Sequence, residues 1–134
     1  MARLGFTVPG KPVPQPRPRF TTIGKYGHAY TPKAHPITAY RAAVRAAAIA
    51  AGAKPHTGLV WVFVIASFER PPSHSTKKGL KKNAPETPNC DGDNILKGVL
   101  DALNGVAYVD DKQADMKCVF KRFGKTAETR ILIL

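Results

Sequence analysis

The residues best suited to chemistry are aspartates gathered in one short part of the chain. The chain has 134 residues, a formal net charge of +12 and nine acidic residues, yet six of these acids lie between Asp91 and Asp115. Hard divalent cations such as Mg²⁺ prefer carboxylate oxygens, and carboxylates held together without a cation repel one another. A basic chain that concentrates its few carboxylates is therefore suited to holding a cation against a phosphate, where the cation polarises a phosphoryl oxygen.

The spacing of these residues adds a lysine to the group. Asp91 and Asp93 are separated by one residue, so their carboxylates point the same way if the segment is extended. From Asp93 the pattern is helical, and Lys97 and Asp101 follow on the same face at steps of four. The opposite face is an apolar stripe of Ile95, Leu96, Val99, Leu100 and Leu103. The ammonium group of Lys97 is placed to neutralise charge that develops on a phosphate.

Asp110 and Asp111 follow a short apolar segment, residues 106–109, which can return them alongside the first two aspartates. Each residue also has an ordinary structural interpretation. Asp93 can act only as a helix N-cap, and the Asp110–Asp111 pair can form only a turn. Lys97 and Asp101 can form only a surface ion pair worth a few tenths of a kcal/mol. In so basic a chain, the concentration of all these acids favours a metal site.

Other site chemistries do not fit the sequence. An EF-hand fails because Gly92 is in the wrong position and the closing glutamate is missing. A zinc site fails because the four histidines are scattered and the two cysteines, Cys90 and Cys118, lie far apart. No P-loop or serine-nucleophile motif is present. With no export signal and no run that approaches a membrane span, we expect reduced thiols, a cytoplasmic protein and no membrane partner.

The N-terminal half of the chain is strongly basic. From Met1 to Phe68 there are nine Lys or Arg residues and no Asp or Glu. Such a field attracts polyanions, of which nucleic acid is the commonest and an anionic membrane surface the alternative. The expected phosphate contacts are Arg17, Arg19, Lys25, Arg41, Arg45, Lys77, Lys78, Lys81 and Lys82. Phe20 or Tyr26 is placed to stack on an unpaired base, although both residues can also simply pack.

The elements that must position these residues form one small α+β domain. We expect a mixed sheet with two main helices, in the order strand, helix, strand, helix, strand, strand. The predicted strands are Arg3–Val8, Leu59–Phe68, Met116–Phe123 and Thr129–Leu134, of which Leu59–Phe68 is expected to be a central buried strand. The predicted helices are Pro36–Ala51 and a second helix that is capped by Asp93 or Asn94 and ends at Leu103.

Two connecting segments are expected to lack regular structure. Residues 9–36 hold seven prolines, so this Pro/Arg-rich segment is predicted to be an extended arm. Residues 69–89 are polar and contain Pro71–Pro72 and paired lysines, which predicts a flexible basic loop.

At the acidic residues, the sequence resembles the RusA family of Holliday junction resolvases. The family pattern Asp-x-Asp-Asn-x-x-Lys stands here as residues 91–97, Asp-Ala-Leu as residues 101–103, and Asp-Asp as residues 110–111. The arm at residues 14–20 and Tyr30-Thr31-Pro32 also resemble phage members of the family. A proline that commonly precedes the first aspartate of the pattern is replaced here by Cys90.

The resemblance implies a homodimeric, Mg²⁺-dependent endonuclease, with Mn²⁺ as a possible substitute, that nicks two strands of a four-way DNA junction. It places the metal-binding aspartates at Asp91, Asp93 and Asp111 and the catalytic lysine at Lys97, and it implies no small-molecule cofactor. Two alternatives stay open. A non-enzymatic nucleic-acid-binding module explains the charge but not the acids, and a metal nuclease acting on flaps or forks explains both.

Overall fold

A four-stranded mixed sheet and two helices form the body of the protein. The computed structural model describes residues 4–16, 19–23, 26–30 and 35–134. In chain order the elements are β1 (Leu4–Pro9), β2 (Arg19–Ile23), β3 (Tyr26–Tyr30), α1 (Pro36–Ala50), β4 (Val60–Phe68), a 3₁₀ turn (Pro72–His74), β5 (Ser75–Thr76), β6 (Gly79–Leu80), α2 (Gly92–Leu103), a second 3₁₀ turn (Asp111–Gln113), β7 (Ala114–Phe123) and β8 (Glu128–Ile133). The predicted α+β class, mixed sheet and two helices are confirmed.

The sheet has the order β1-β8-β4-β7, so β4 lies inside it. It pairs antiparallel with β8 and parallel with β7. Its nearly continuous apolar sequence suits an interior strand, and Val62, Val64 and Ala66 are fully buried beneath the helices. The predicted central position of this strand is confirmed, but only one of its two faces is fully buried. Strand β7 forms one edge of the sheet.

Helix α1 begins and ends where its sequence signals predict. Pro36 occupies the first turn, and Nδ1 of His35 accepts a hydrogen bond from the Ile37 amide at 3.1 Å. Gly52 follows the helix with a φ of 92°, a conformation that favours glycine. The buried face of the helix consists of Ile37, Tyr40, Val44 and Ala48.

Helix α2 begins earlier than predicted. Asp91 is its N-cap, and its side chain accepts a hydrogen bond from the Asp93 amide. The prediction that Asp93 or Asn94 caps the helix is therefore wrong. Both Asp91 and Asp93 are good capping residues, and the cap falls at the earlier one because Gly92 and Asp93 already have helical backbone. As a result, Asp91 and Asp93 stand at the start of a helix rather than along an extended segment.

The proline-rich arm contains a hairpin that the sequence analysis did not predict. Strands β2 and β3 pair antiparallel, with Arg19 opposite Tyr30 and Ile23 opposite Tyr26. The prolines stop at Pro18 and resume at Pro32, so the residues between them keep the amide donors that a ladder needs.

The basic loop is anchored at its base. The guanidinium of Arg70 donates to the carbonyl of Pro85 at 2.8 Å and lies 4.3 Å from the centre of the Phe123 ring. Only the short strands β5 and β6 pair within the loop. Among the described residues, no helix is long and apolar enough to cross a membrane.

Candidate active site

A shallow depression of about 420 Å³ brings three of the predicted catalytic residues together. Helix α2, the second 3₁₀ turn and strand β7 surround it. Its lining consists of Asp93, Leu96, Lys97, Leu100, Asp111 and Lys117. Asp93 and Lys97 lie one turn apart on α2, and the 3₁₀ turn adds Asp111 from a distant part of the sequence. The predicted convergence of Asp93, Lys97 and Asp111 therefore occurs in the structure.

Asp91 lies beside this group with its carboxylate already engaged. One oxygen accepts the Asp93 amide at 2.9 Å, and the other accepts the side-chain amide of Asn94 at 3.2 Å. Asp91 does not line the depression. The structure therefore gives Asp91 a definite structural role as helix cap, and its assignment as a metal ligand stays a prediction.

The start of α2 is held close to β7. An added Cβ at Gly92 would lie 3.3 Å from Cγ1 of Val119, so a glycine here allows the helix to approach the strand. On the same strand, Nζ of Lys121 donates to the carbonyl of Cys90 at 2.7 Å. These contacts fix the position of the helix end that carries Asp93.

The turn that carries Asp111 is held by Gln113. Oε1 of Gln113 accepts the amides of Val109 and Asp110 at 2.8 and 2.9 Å. Its Nε2 donates to the carbonyls of His56 and Gly58, both at 2.7 Å. Two of these hydrogen bonds close the turn, and the other two tie it to the segment that enters β4. Gln113 was not among the predicted residues, although Asp110 followed by glutamine three residues later has the spacing of a capping box.

Replacing Gln113 with alanine is expected to destabilise the protein and displace Asp111. Loss of the side chain leaves two amides and two carbonyls without their partners, at a cost of about 2 to 3 kcal/mol in the free energy of unfolding. Denaturant unfolding monitored by circular dichroism measures this cost. The matched control is Lys112→Ala, which truncates an exposed side chain in the same turn. Equal stability of the two variants would contradict the role assigned to Gln113.

The two adjacent aspartates differ in their electrostatic environments. The pKa of Asp110 is lowered, chiefly because its carboxylate accepts the backbone amide of Lys112. The pKa of Asp111 is raised, first by partial burial and then by its contact with Asp110 and the nearby charge of Asp101. Burial, and then the charges of Asp111, Asp101 and Asp110, raise the pKa of Tyr108 well above its usual range. A cation beside Asp111 would relieve this crowding of negative charge.

Asp101 lies on α2, but its carboxylate contacts Gln15 and Arg41 and does not line the depression. Nε2 of Gln15 donates to its carboxylate at 3.1 Å, and a guanidinium nitrogen of Arg41 is 4.0 Å from the same oxygen. Arg41 also donates to the side-chain Oε1 of Gln15. The backbone amide of Gln15 donates to the carbonyl of Asn94 at 3.0 Å. Gln15 therefore docks the end of the described arm segment, residues 11–16, on α2.

The predicted DNA contacts fall into different parts of the structure. Arg17 and Lys25 lie outside the described residues, and Arg19 and Phe20 lie in β2, where the backbone alone is described. Arg41 is engaged with Gln15 and Asp101. The remaining side chains are exposed, on α1 and on the loop around β5 and β6: Arg45, Lys77, Lys78, Lys81 and Lys82.

The donor set of the depression fits magnesium better than a metal that requires many protein ligands. In the part of the chain that the structure describes, no three His, Cys, Asp or Glu side chains form a group able to hold an ion. Mg²⁺ is usually held by one or two carboxylates and completes its coordination with water and substrate phosphate. Asp93 and Asp111 both line the depression and are the carboxylates that would hold such an ion.

Comparison with known proteins identifies the family. The family model described as Endodeoxyribonuclease RusA matches residues 9–134. The chain belongs to the RusA family. It is also 34% identical over 140 residues to the uncharacterized protein YqaN of Bacillus subtilis (strain 168), covering 97% of this chain and 94% of that protein.

Membership of the RusA family makes the protein an endodeoxyribonuclease and therefore an enzyme. The activity of the family is that of Holliday junction resolvases, which bind branched DNA, and its nucleases are generally metal-dependent. The matched region contains Asp93, Lys97 and Asp111, so the depression is the candidate active site of a RusA nuclease.

Proposed function

We propose that the protein is a Mg²⁺-dependent resolvase that cuts four-way DNA junctions by paired, symmetric nicks in DNA recombination and repair. The observation that carries this proposal is the meeting of Asp93, Lys97 and Asp111 in one depression of a strongly basic chain. Carboxylates are unfavourable in a site that only binds DNA, because they repel phosphate. Their presence where DNA would lie supports a metal-assisted cut.

Each residue has a part in the proposed reaction. Asp93 and Asp111 hold the cation, with Asp91 as a further predicted ligand. When bound, the cation supplies Lewis-acid polarisation of a phosphoryl oxygen and lowers the pKa of a water molecule. Lys97 neutralises charge on the phosphate, and the apolar side chains of Leu96 and Leu100 strengthen these interactions by lowering the local dielectric.

The chemical step is hydrolysis of one phosphodiester bond. A water oxygen attacks phosphorus in line with the 3′ oxygen, and the bond between phosphorus and the 3′ oxygen breaks. One proton of the water ends on the 3′ oxygen, and the new oxygen stays on the phosphate. The products are a 3′-hydroxyl and a 5′-phosphate, which a ligase can rejoin.

The DNA arms are proposed to lie along the exposed basic residues. Arg45 and the four lysines between Lys77 and Lys82 present positive charge without a described protein partner. Arg17, Arg19 and Lys25 are proposed to extend the contact, with Phe20 against an unpaired base. Docking of Gln15 on α2 supports this arrangement, because it holds the arm beside the helix that carries Asp93 and Lys97.

We propose a homodimer, because two symmetric cuts require two active sites related by a two-fold axis. The surface that fits a second copy is the face of the sheet opposite the helices, here called the open sheet face. Its apolar members are Trp61, Phe63, Ile65, Met116, Cys118, Phe120 and Leu132. Exposed apolar patches of this kind mark interaction sites.

The charge of the open sheet face favours a second copy as its occupant. Arg130 and Glu128 on this face form an ion pair at 3.0 Å and neutralise each other, and Arg122 donates to Oγ of Ser67 at 3.1 Å. Two chains of net charge +12 repel each other. They can meet most easily through a surface that carries little net charge, whereas DNA would be held by the basic surfaces instead.

A single experiment separates the proposed function from a nuclease that cuts flaps or forks. Purified protein is incubated with labelled four-way junction, fork and linear duplex, with and without Mg²⁺. We expect Mg²⁺-dependent nicks at symmetric positions in the junction and little cutting of the other substrates. Preferential cutting of the fork would favour the alternative nuclease, and binding without cutting of any substrate would overturn the proposal.

A further inference from the structure

Strand β7 carries two lysines on the side that it turns toward α2. The register partners of Lys117 and Lys121 on β4 are Val62 and Ala66, both fully buried core residues. Partners in a ladder share a face of the sheet, so both lysines project from its helix-covered face. This face normally holds apolar side chains, and the two ammonium groups therefore require an explanation.

The two lysines differ in what surrounds them. Nζ of Lys121 donates to the carbonyl of Cys90 at 2.7 Å, which gives Lys121 a structural partner beside the start of α2. Lys117 is exposed and lines the depression together with Asp93, Lys97 and Asp111. It is therefore a second ammonium group in the candidate active site.

Among the described residues, no ion pair of 4.0 Å or less involves the charged side chains of the depression. Within the described ranges of the chain, the ion pairs at 4.0 Å or less join Arg41 to Asp101 and Arg130 to Glu128. Lys97 and Lys117 thus share a depression with two carboxylates and leave them unpaired. Unpaired carboxylates suit a cation and unpaired ammonium groups suit a phosphate, so the arrangement is suited to taking both.

We propose that Lys117 is a second phosphate-contacting lysine, whose ammonium donates to a non-bridging oxygen of the phosphate being cut. This rests on the proposed function and adds a catalytic residue to it. The phosphate gains negative charge when the water oxygen joins it, and donors fixed in advance stabilise that charge. Lys97 approaches from the helix and Lys117 from the strand, so the phosphate is held from two elements of the fold.

The competing explanation of Lys117 is protection of the sheet edge. Edge strands often carry lysines, which prevent a second chain from pairing with the open strand. That role requires only a charge on β7 and predicts normal cutting when the charge is removed. It would also apply equally to other exposed lysines near this edge.

The test compares Lys117→Gln with Lys112→Gln. Lys112 is an exposed lysine in the neighbouring 3₁₀ turn and does not line the depression. We expect Lys117→Gln to lower the rate of Mg²⁺-dependent junction nicking by roughly 100-fold. Lys112→Gln should change the rate by less than about 3-fold, and Lys117→Arg should recover part of the loss, because the guanidinium also donates to phosphate. Thermal unfolding of each variant checks that the fold is intact.

Binding provides a second measurement that does not depend on cutting. Junction affinity is measured with Ca²⁺ in place of Mg²⁺ over a range of salt concentrations. Removal of one phosphate contact lowers the slope of log affinity against log salt by about 1. We expect this change for Lys117→Gln and no change for Lys112→Gln.

The outcomes separate this inference from the proposed function. If the wild type cuts the junction and Lys117→Gln cuts as fast as Lys112→Gln, the phosphate contact is overturned and edge protection remains. If the wild type does not cut, the proposed function fails, and the salt slopes then decide the role of Lys117. A lower slope for Lys117→Gln supports the contact, and equal slopes overturn it.

Discussion

Replacing Asp93 with asparagine is expected to abolish Mg²⁺-dependent nicking of a four-way junction while binding of the junction survives or tightens. Asparagine has nearly the same shape, so the change removes charge and leaves the packing of α2 in place. The site loses one of its carboxylate ligands, and the repulsion between that carboxylate and DNA phosphate disappears. We expect the nicking rate to fall at least about 100-fold. Single-turnover cutting of a labelled junction measures the rate, and a gel shift in Ca²⁺ measures binding.

The matched control for this variant is Asp115→Asn. Asp115 is an exposed aspartate in β7 and does not line the depression. It should cut at close to the wild-type rate. Asp93 also lies in the first turn of α2, where a negative charge stabilises the helix by about 0.3 to 1 kcal/mol, so a small loss of stability is expected. Undiminished cutting by Asp93→Asn, or an equal loss in both variants, would remove Asp93 from the catalytic site.

The body of the fold was predictable because its signals are local and agree with one another. Pro36 and Gly52 delimit α1, and the apolar run of β4 indicates a strand inside the sheet. The capping position of α2 was not predictable in the same way. Asp91 and Asp93 are both good N-caps, and local propensity does not decide between residues two positions apart.

The hairpin β2–β3 was missed because composition was averaged over the whole of residues 9–36. Seven prolines dominate that average, but they cluster at its two ends and leave residues 19–31 free of proline. A β-ladder depends on the amides of the residues that pair, not on those of the flanking segments. Residues 19–31 taken alone indicate strands, because they lack proline and include a β-forming run with Phe20 and Ile23.

The convergence of Asp93, Lys97 and Asp111 was predictable from motif spacing, but the rest of the depression was not. Lys117 reaches it only because β7 pairs parallel with β4, a pairing between residues far apart in sequence. The alternation of Lys117 with the apolar Met116 and Cys118 also misleads, since a lysine normally indicates the solvent side of a strand. Gln113 had a local signal, but its bonds to His56 and Gly58 depend on the same long-range pairing.

Replacing Phe120 with glutamate is expected to convert a homodimer into a monomer. Phe120 is 58% exposed on the open sheet face, and Trp61, Met116 and Leu132 on the same face are 38 to 42% exposed. In a two-fold interface each substitution acts twice, so a carboxylate is buried without a partner on both sides. We expect the dimer dissociation constant to rise at least about 100-fold, because central aromatic residues dominate interfaces of this kind. Sedimentation velocity at micromolar protein concentration measures the change.

The control is Ile49→Glu, which adds the same charge at an apolar residue that is 63% exposed near the end of α1 and away from the sheet. It should remain dimeric. A plasmid with an extruded cruciform links assembly to function, because two coordinated nicks linearise the plasmid whereas one nick only relaxes it. Phe120→Glu should therefore yield relaxed circles where the wild type yields linear DNA. Sedimentation of the wild type as a monomer would overturn the proposed dimer, and a dimeric Phe120→Glu would place the interface on a different surface.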